Sequence, residues 1–127
     1  MLKKIYYHDT DSGGVVYYAN YLKYLEEART EYMSKYSIDL KKISEDGIFF
    51  VVKKVEIDYK SPARYGDIIE IFTKISKVRN VSIEFYQEIK NKDKILILAK
   101  TILVCVNRSF QLIPIPQYII ERLNNVL

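Results

Sequence analysis

The chain has no tryptophan, one cysteine, one histidine, three prolines and four glycines. The scarcity of cysteine and histidine removes whole classes of explanation. A lone Cys105 cannot close an internal disulfide, and an unpaired thiol suits a reducing compartment. With His8 as the only imidazole and Cys105 remote from it in sequence, a structural zinc site has no ligand set. The same shortage leaves a Ser-His or Cys-His triad with a single base to draw on. The longest apolar run, residues 95–106, is interrupted by Lys100 and falls short of the ~20 residues that a membrane-spanning helix needs, so no membrane insertion is expected. The opening residues MLKKIYYHD lack the apolar stretch of a secretory signal, which makes the cytoplasm the expected location.

What is present is as informative. At 127 residues, 49% hydrophobic and 28% charged, the chain has enough material for one core and too little for two, so residues 1–127 are expected to form a single domain. The net charge of +4 is spread among interspersed acids and forms no basic stripe, so nucleic acid is not an expected partner. Twelve tyrosines give an apolar body with a polar tip, a combination suited to half-buried interfaces and ligand pockets.

The stretch Tyr7 to Tyr36 organises the rest. Lys3 to His8 alternates as a short strand, with Ile5 and Tyr7 on one face. Asp9, Asp11, Gly13 and Gly14 then break it, and Val15 to Tyr18 leads into a helix placed at about Asn20 to Tyr36. Tyr21, Leu25, Ala28, Tyr32 and Tyr36 recur at helical spacing, widened by Leu22 and Tyr24, and Asn20 is the expected N-cap. Glu26 and Arg29, a turn apart, are expected to form an ion pair. After a polar connection over residues 37–47, with room for a short helical turn, the period changes to two. Val51 to Tyr59, Ile69 to Ile75 and Val81 to Ile89 read as strands, and residues 91–94 as a tight hairpin. Residues 95–106 are apolar enough for a central strand covered on both faces. Pro116, at a helix N1 position, opens a short terminal helix with Ile119, Ile120, Leu123 and Leu127 on one side. Short connections require antiparallel pairing. The economical arrangement is α+β: a long helix wrapped by an antiparallel sheet of five strands, or six, whose open edge invites a second copy.

The loop carries the chemistry. Two carboxylates and two glycines precede a helix start, where unpaired N–H groups and the macrodipole favour negative charge. A turn and cap made of Asp, Ser and Gly accounts for the composition without any function. A calcium loop requires ligands at regular intervals and a late Glu, but Gly13 and Asn20 occupy those places. An aspartyl-phosphate site normally ends a parallel strand, and the strands here are antiparallel. Acyl transfer uses every feature: Asp11 as nucleophile or general base, helix-start N–H groups for the developing oxyanion, and Gly13 and Gly14 for close approach. His8, beside the loop, points away from the face of Tyr7 by strand parity and is expected to be exposed or at an interface. Cys105 is a core residue, Arg64 lies in the turn SPARYGD, and Lys77, Arg79 and Asn80 form a basic turn within SKVRNVS.

The segment YYHDTDSGGVVYYANYLKYLEEARTE resembles the signature of the 4-hydroxybenzoyl-CoA thioesterase-like hotdog family, nearest its Tol–Pal-associated acyl-CoA thioesterase branch. The resemblance continues through FVVKKVEIDYKSPARYGDIIEI and the late strand ending LVCVNRS. It implies a hotdog fold and hydrolysis of acyl-CoA to free acid and CoA, with no metal and no cofactor beyond CoA as part of the substrate. The second Asp of the family's D-x-D, the catalytic one, falls on Asp11, and the N–H that polarises the thioester carbonyl falls on Tyr18. Gly13, Gly14 and Val15 then flank the acyl group, while Lys77, Arg79 and Asn80 are placed to meet CoA phosphates. The resemblance also implies a homodimer or homotetramer with active sites at subunit interfaces. One departure stands out. The nearest branch commonly carries His where this chain has Tyr18, whereas the hydroxybenzoyl branch carries Tyr, so the backbone role is retained without imidazole help. The alternative reading is a non-catalytic module binding acyl-CoA or acyl carrier protein.

Overall fold

The computed structural model describes residues 1–127. Helix α1 spans Asn20–Lys35 and buries Tyr21, Tyr24, Leu25, Ala28, Arg29 and Met33. The front of the apolar stripe is as its spacing predicts. Its rear differs: Met33 enters the core, Tyr32 and Tyr36 are only half-buried, and Leu22 is exposed. A tyrosine at a core rim keeps its hydroxyl near water, and flexible Met fills the space beneath it. Asn20 is not the N-cap. Ala19 holds that position in helical conformation without a side-chain cap, and the Asn20 amide instead reaches back to donate to the Asp9 carbonyl at 2.9 Å.

Strands β1 (Leu2–Lys4), β2 (Phe49–Tyr59), β3 (Ile68–Val78), β4 (Ser82–Asn91) and β5 (Lys94–Val106) form one sheet of order β1-β3-β4-β5-β2. All four pairings are antiparallel. Alternation sets the inner face: Ile69, Ile71 and Ile75 on β3, Ile83, Phe85 and Ile89 on β4, and Ala99, Leu103 and Cys105 on β5 are buried. Helix α1 lies across this face, so the helix wrapped by five antiparallel strands is borne out. Two short helices complete it. The first, α2 (Leu40–Glu45), starts at Asp39, whose carboxylate accepts from the Lys42 N–H. The second, α3 (Gln117–Asn124), tucks Ile119 and Leu123 beneath the sheet end.

Four local expectations change. The first strand is shorter: the backbone makes a 3-10 turn at Tyr7–Asp9, leaving Ile5 buried and Tyr7 exposed rather than on a shared face. Strand β5 is not covered on both faces. Its outward residues Leu98, Ile102 and Val104 are half-buried and Lys100 is exposed, and β4 is the middle strand. Pro116 occupies the cap position, one residue ahead of N1, and Leu127 is exposed. Glu26 and Arg29 form no ion pair. Arg29 donates to Gln87 Oε1 at 3.2 Å, and Glu26 accepts from Thr30.

Arg29 and Gln87 belong to a polar layer crossing the core between two apolar clusters. Gln87 also donates to the Leu25 carbonyl and to Thr73 Oγ1, each at 3.0 Å. Pairing its amide this fully removes most of the cost of burying it. Burial holds the Arg29 guanidinium below its ordinary pKa, against the pull of the Glu26 charge.

Candidate active site

The two loop aspartates have opposite surroundings. Asp9 is 6% exposed. Its Oδ1 accepts from the Tyr24 hydroxyl at 2.7 Å and its Oδ2 from the Tyr6 N–H at 2.8 Å. Its carbonyl accepts from the Tyr17 N–H at 3.0 Å as well as from Asn20. Burial pushes the Asp9 carboxyl upward, but the bonds from Tyr24 and Tyr6, with the charges of Lys3 and His8, hold it below its ordinary value. Asp9 thus fastens the loop to α1 through Tyr24 and Asn20 and braces the loop itself through Tyr6 and Tyr17. His8 is solvent-facing, as expected, with its ring stacked on Tyr6.

Asp11 is exposed. Its N–H donates to the Val15 carbonyl at 2.9 Å, its carbonyl accepts from the Gly14 N–H at 3.0 Å, and its Oδ1 accepts from the Gly13 N–H at 2.8 Å. These bonds close a tight turn that aims the carboxylate and leave Oδ2 free. Gly14 has φ +77°, a left-handed conformation that glycine adopts without strain, and a Cβ on Gly13 would stand 3.2 Å from Asp11 Oδ1. The loop is tied down from outside: Val16 N–H donates to the Ala63 carbonyl at 2.9 Å, and Val15 bridges to Arg64. Arg64 therefore acts here through its backbone, within a turn braced by the Asp67 carboxylate.

Tyr18 sits in the turn just ahead of α1, and its N–H finds no backbone acceptor. Its side chain is largely exposed, packed on Tyr17 and Tyr59, and its carbonyl accepts a 3.3 Å bond from the Tyr59 hydroxyl. One end of the fold thus gathers a carboxylate with a free oxygen, two glycines, Val15, an unpaired N–H at a helix start and an aromatic surround. That set can hold a polarised carbonyl while a carboxylate acts beside it.

Lys77, Arg79 and Asn80 are elsewhere. They follow or end β3, whereas the Asp11 loop is fastened to the segment before it. Eleven residues of strand at ~3.3 Å each put roughly 35 Å of chain along β3 between the two places. Lys77 and Arg79 line a cavity of about 420 Å³ together with Lys53 and Leu112. Among the residues the sequence reading left without a role, Asp9 and Tyr24 carry the anchoring bond. Gln87 was detectable as the one polar side chain at an inward position of the most regular strand.

The sequence profile of the Thioesterase-like superfamily matches residues 6–123, and the chain belongs to that superfamily, as a thioester hydrolase of hotdog fold. The acyl-CoA thioester hydrolase YbgC of Escherichia coli is 39% identical over 105 residues, covering 82% of this chain and 78% of that protein. The acyl-CoA thioesterase YbgC of Haemophilus influenzae is 37% identical over 105 residues, covering 82% and 77%. The crystal structure of a DHNA-CoA thioesterase from Staphylococcus aureus superposes with a TM-score of 0.94 at 26% identity, covering 99% of this chain and 88% of that one.

Proposed function

We propose that this chain is a cytoplasmic acyl-CoA thioester hydrolase in which Asp11 acts on the thioester carbonyl while the Tyr18 N–H holds the developing oxyanion. The observation that carries it is the juxtaposition, on one loop, of a carboxylate with a free oxygen and an unpaired N–H at a helix start. In the general-base route Asp11 Oδ2 takes a proton from water, the water oxygen bonds to the carbonyl carbon, the C–S bond breaks, and the CoA thiolate recovers the proton. In the nucleophilic route the same oxygen bonds to the carbonyl carbon, expels the thiolate and forms an anhydride that water then opens. Both need the negative charge on the carbonyl oxygen stabilised, a task for backbone donors in a partly dehydrated site. Gly13, Gly14 and Val15 line the approach of the acyl group. Neither route calls for a metal.

Lys77, Arg79 and Asn80 bind the CoA phosphates, and a second copy supplies them. Strand β2 is an eleven-residue edge with Val52, Val55 and Tyr59 at least partly exposed. Pairing it antiparallel with the β2 of another chain lays the basic end of one chain beside the Asp11 end of the other, closing the separation seen within one chain. The enzyme is therefore proposed as a homodimer, or a tetramer of such pairs, in which residues 1–127 act as one catalytic domain. Thiol release from short, long and aromatic acyl-CoAs, with wild type beside Asp11→Asn, tests the reading. Turnover abolished by the substitution supports it, and a wild type inert to the whole panel overturns it.

A further inference from the structure

Two backbone irregularities lie at the cavity lined by Lys53, Lys77, Arg79 and Leu112, and a third lies close to Leu112 in sequence. Strand β2 carries a bulge between Val52 and Lys54, which re-aims Lys53, and β3 carries one between Ile75 and Lys77, which re-aims Lys77. The third is Phe110, which has φ +59° and is 75% exposed. A left-handed backbone is an outlier for a bulky aromatic residue, and such strain persists only where neighbours enforce it. Here they do. Asn107 Oδ1 accepts from the Ser109 and Gln111 N–H groups at 2.9 and 3.1 Å, the Phe110 N–H donates to the Asn107 carbonyl at 3.0 Å, and the Asn107 N–H donates to the Gln111 carbonyl at 3.0 Å. Arg108 pins the turn from outside by donating to the Glu45 carbonyl at 3.0 Å. A rigid turn therefore holds a phenyl ring out in water, two residues from Leu112 in the cavity wall and so within about 7.6 Å of it along the backbone.

The cavity itself is cationic. Glu84, its one acid, is engaged by the Ser76 hydroxyl at 2.8 Å, so Lys53, Lys77 and Arg79 outnumber it. Three cations, one apolar wall and a rigidly presented aromatic ring match a purine nucleotide with several phosphates: the ring stacks on the base while the cations meet the phosphates. Resting on the acyl-CoA reading above, we infer that Phe110 is the platform for the adenine of CoA and that Lys53 joins Lys77 and Arg79 on its phosphates. Phe110 then determines how strongly the enzyme distinguishes CoA thioesters from thioesters lacking the nucleotide.

The test compares KM for one acyl group carried on CoA and on pantetheine, in wild type, Phe110→Ala and Phe110→Trp. The expected result is a KM for acyl-CoA raised about tenfold in Phe110→Ala, unchanged kcat, unchanged KM for acyl-pantetheine, and recovery in Phe110→Trp. An unchanged KM for acyl-CoA, or an equal loss on both thioesters, overturns the inference. Calorimetric titration with adenosine 3′,5′-bisphosphate needs no turnover and so separates this inference from the catalytic one. Binding to wild type that weakens in Phe110→Ala supports the platform even if no acyl-CoA is hydrolysed. Absent binding, or equal binding to both proteins, rejects it.

Discussion

Asp9 and Asp11 stand two residues apart in one loop, yet one is a fastening and the other is the proposed reagent. Asp9 is enclosed, and both of its carboxylate oxygens accept hydrogen bonds. Asp11 is exposed, with one oxygen held by Gly13 and the other open. Chemistry follows from spare acceptor capacity, not from residue type. The buried carboxylate is closed off from a substrate with a donor already on each oxygen, and the exposed one has a single side-chain partner. Perturbing each should therefore affect a different measurement.

The largest effect is expected at Asp11. Asp11→Asn should lower kcat by about 10²–10⁴-fold while leaving the thermal midpoint where it is, read by thiol release and a melting curve on the same sample. Equal losses of activity and stability would erase the distinction between the two residues. Asp9→Ala should do the reverse in kind: removing a buried charged acceptor strands the Tyr24 hydroxyl and the Tyr6 N–H, at a cost of about 2–3 kcal/mol, measured by urea unfolding. Tyr24→Phe deletes one of those bonds and should cost about 1–2 kcal/mol, with the acyl-CoA KM little changed.

Acid should sharpen the contrast. Because the folded-state pKa of Asp9 lies below its ordinary value, the unfolded chain binds the proton first. The stability Asp9 contributes is full above the ordinary carboxylate pKa and is lost as pH falls through the lowered folded value. Wild type should therefore lose stability more steeply than Asp9→Asn below about pH 4. Parallel curves would mean that Asp9 is not the group responsible. The smallest effect belongs to Gly13. In Gly13→Ala the new methyl, built 3.2 Å from Asp11 Oδ1, should displace the carboxylate and reduce kcat by a few-fold, with stability shifting by less than about 1 kcal/mol.

Much of this was legible before any fold was in hand. The period-two strands, the helix placed at about residues 20–36, the antiparallel pairing and the Asp-Gly loop follow from local rules, because alternation and helical spacing report which face meets the core. Less legible were features in which a residue answers to a distant partner. Arg29 reads as half of an ion pair with Glu26 on one helix, but it finds Gln87 across the sheet. Asn20 reads as a cap, but its amide is drawn to the Asp9 carbonyl. The even apolarity of β5 reads as burial on both faces, but the sheet wraps one helix and leaves its other face partly exposed.

The sequence by itself determined the element order, the sheet that must curl around one amphipathic helix, and the pairing of an acidic loop with a helix start. Those outcomes rest on spacing and composition, which are local. Only the tertiary structure decided which of two neighbouring aspartates is buried. It also decided that Tyr24 reaches back to hold Asp9, and that the basic turn at Lys77–Asn80 lies a strand's length from the loop. Those outcomes depend on where the sheet brings remote side chains together and on how many hydrogen-bond acceptors remain unfilled once it has.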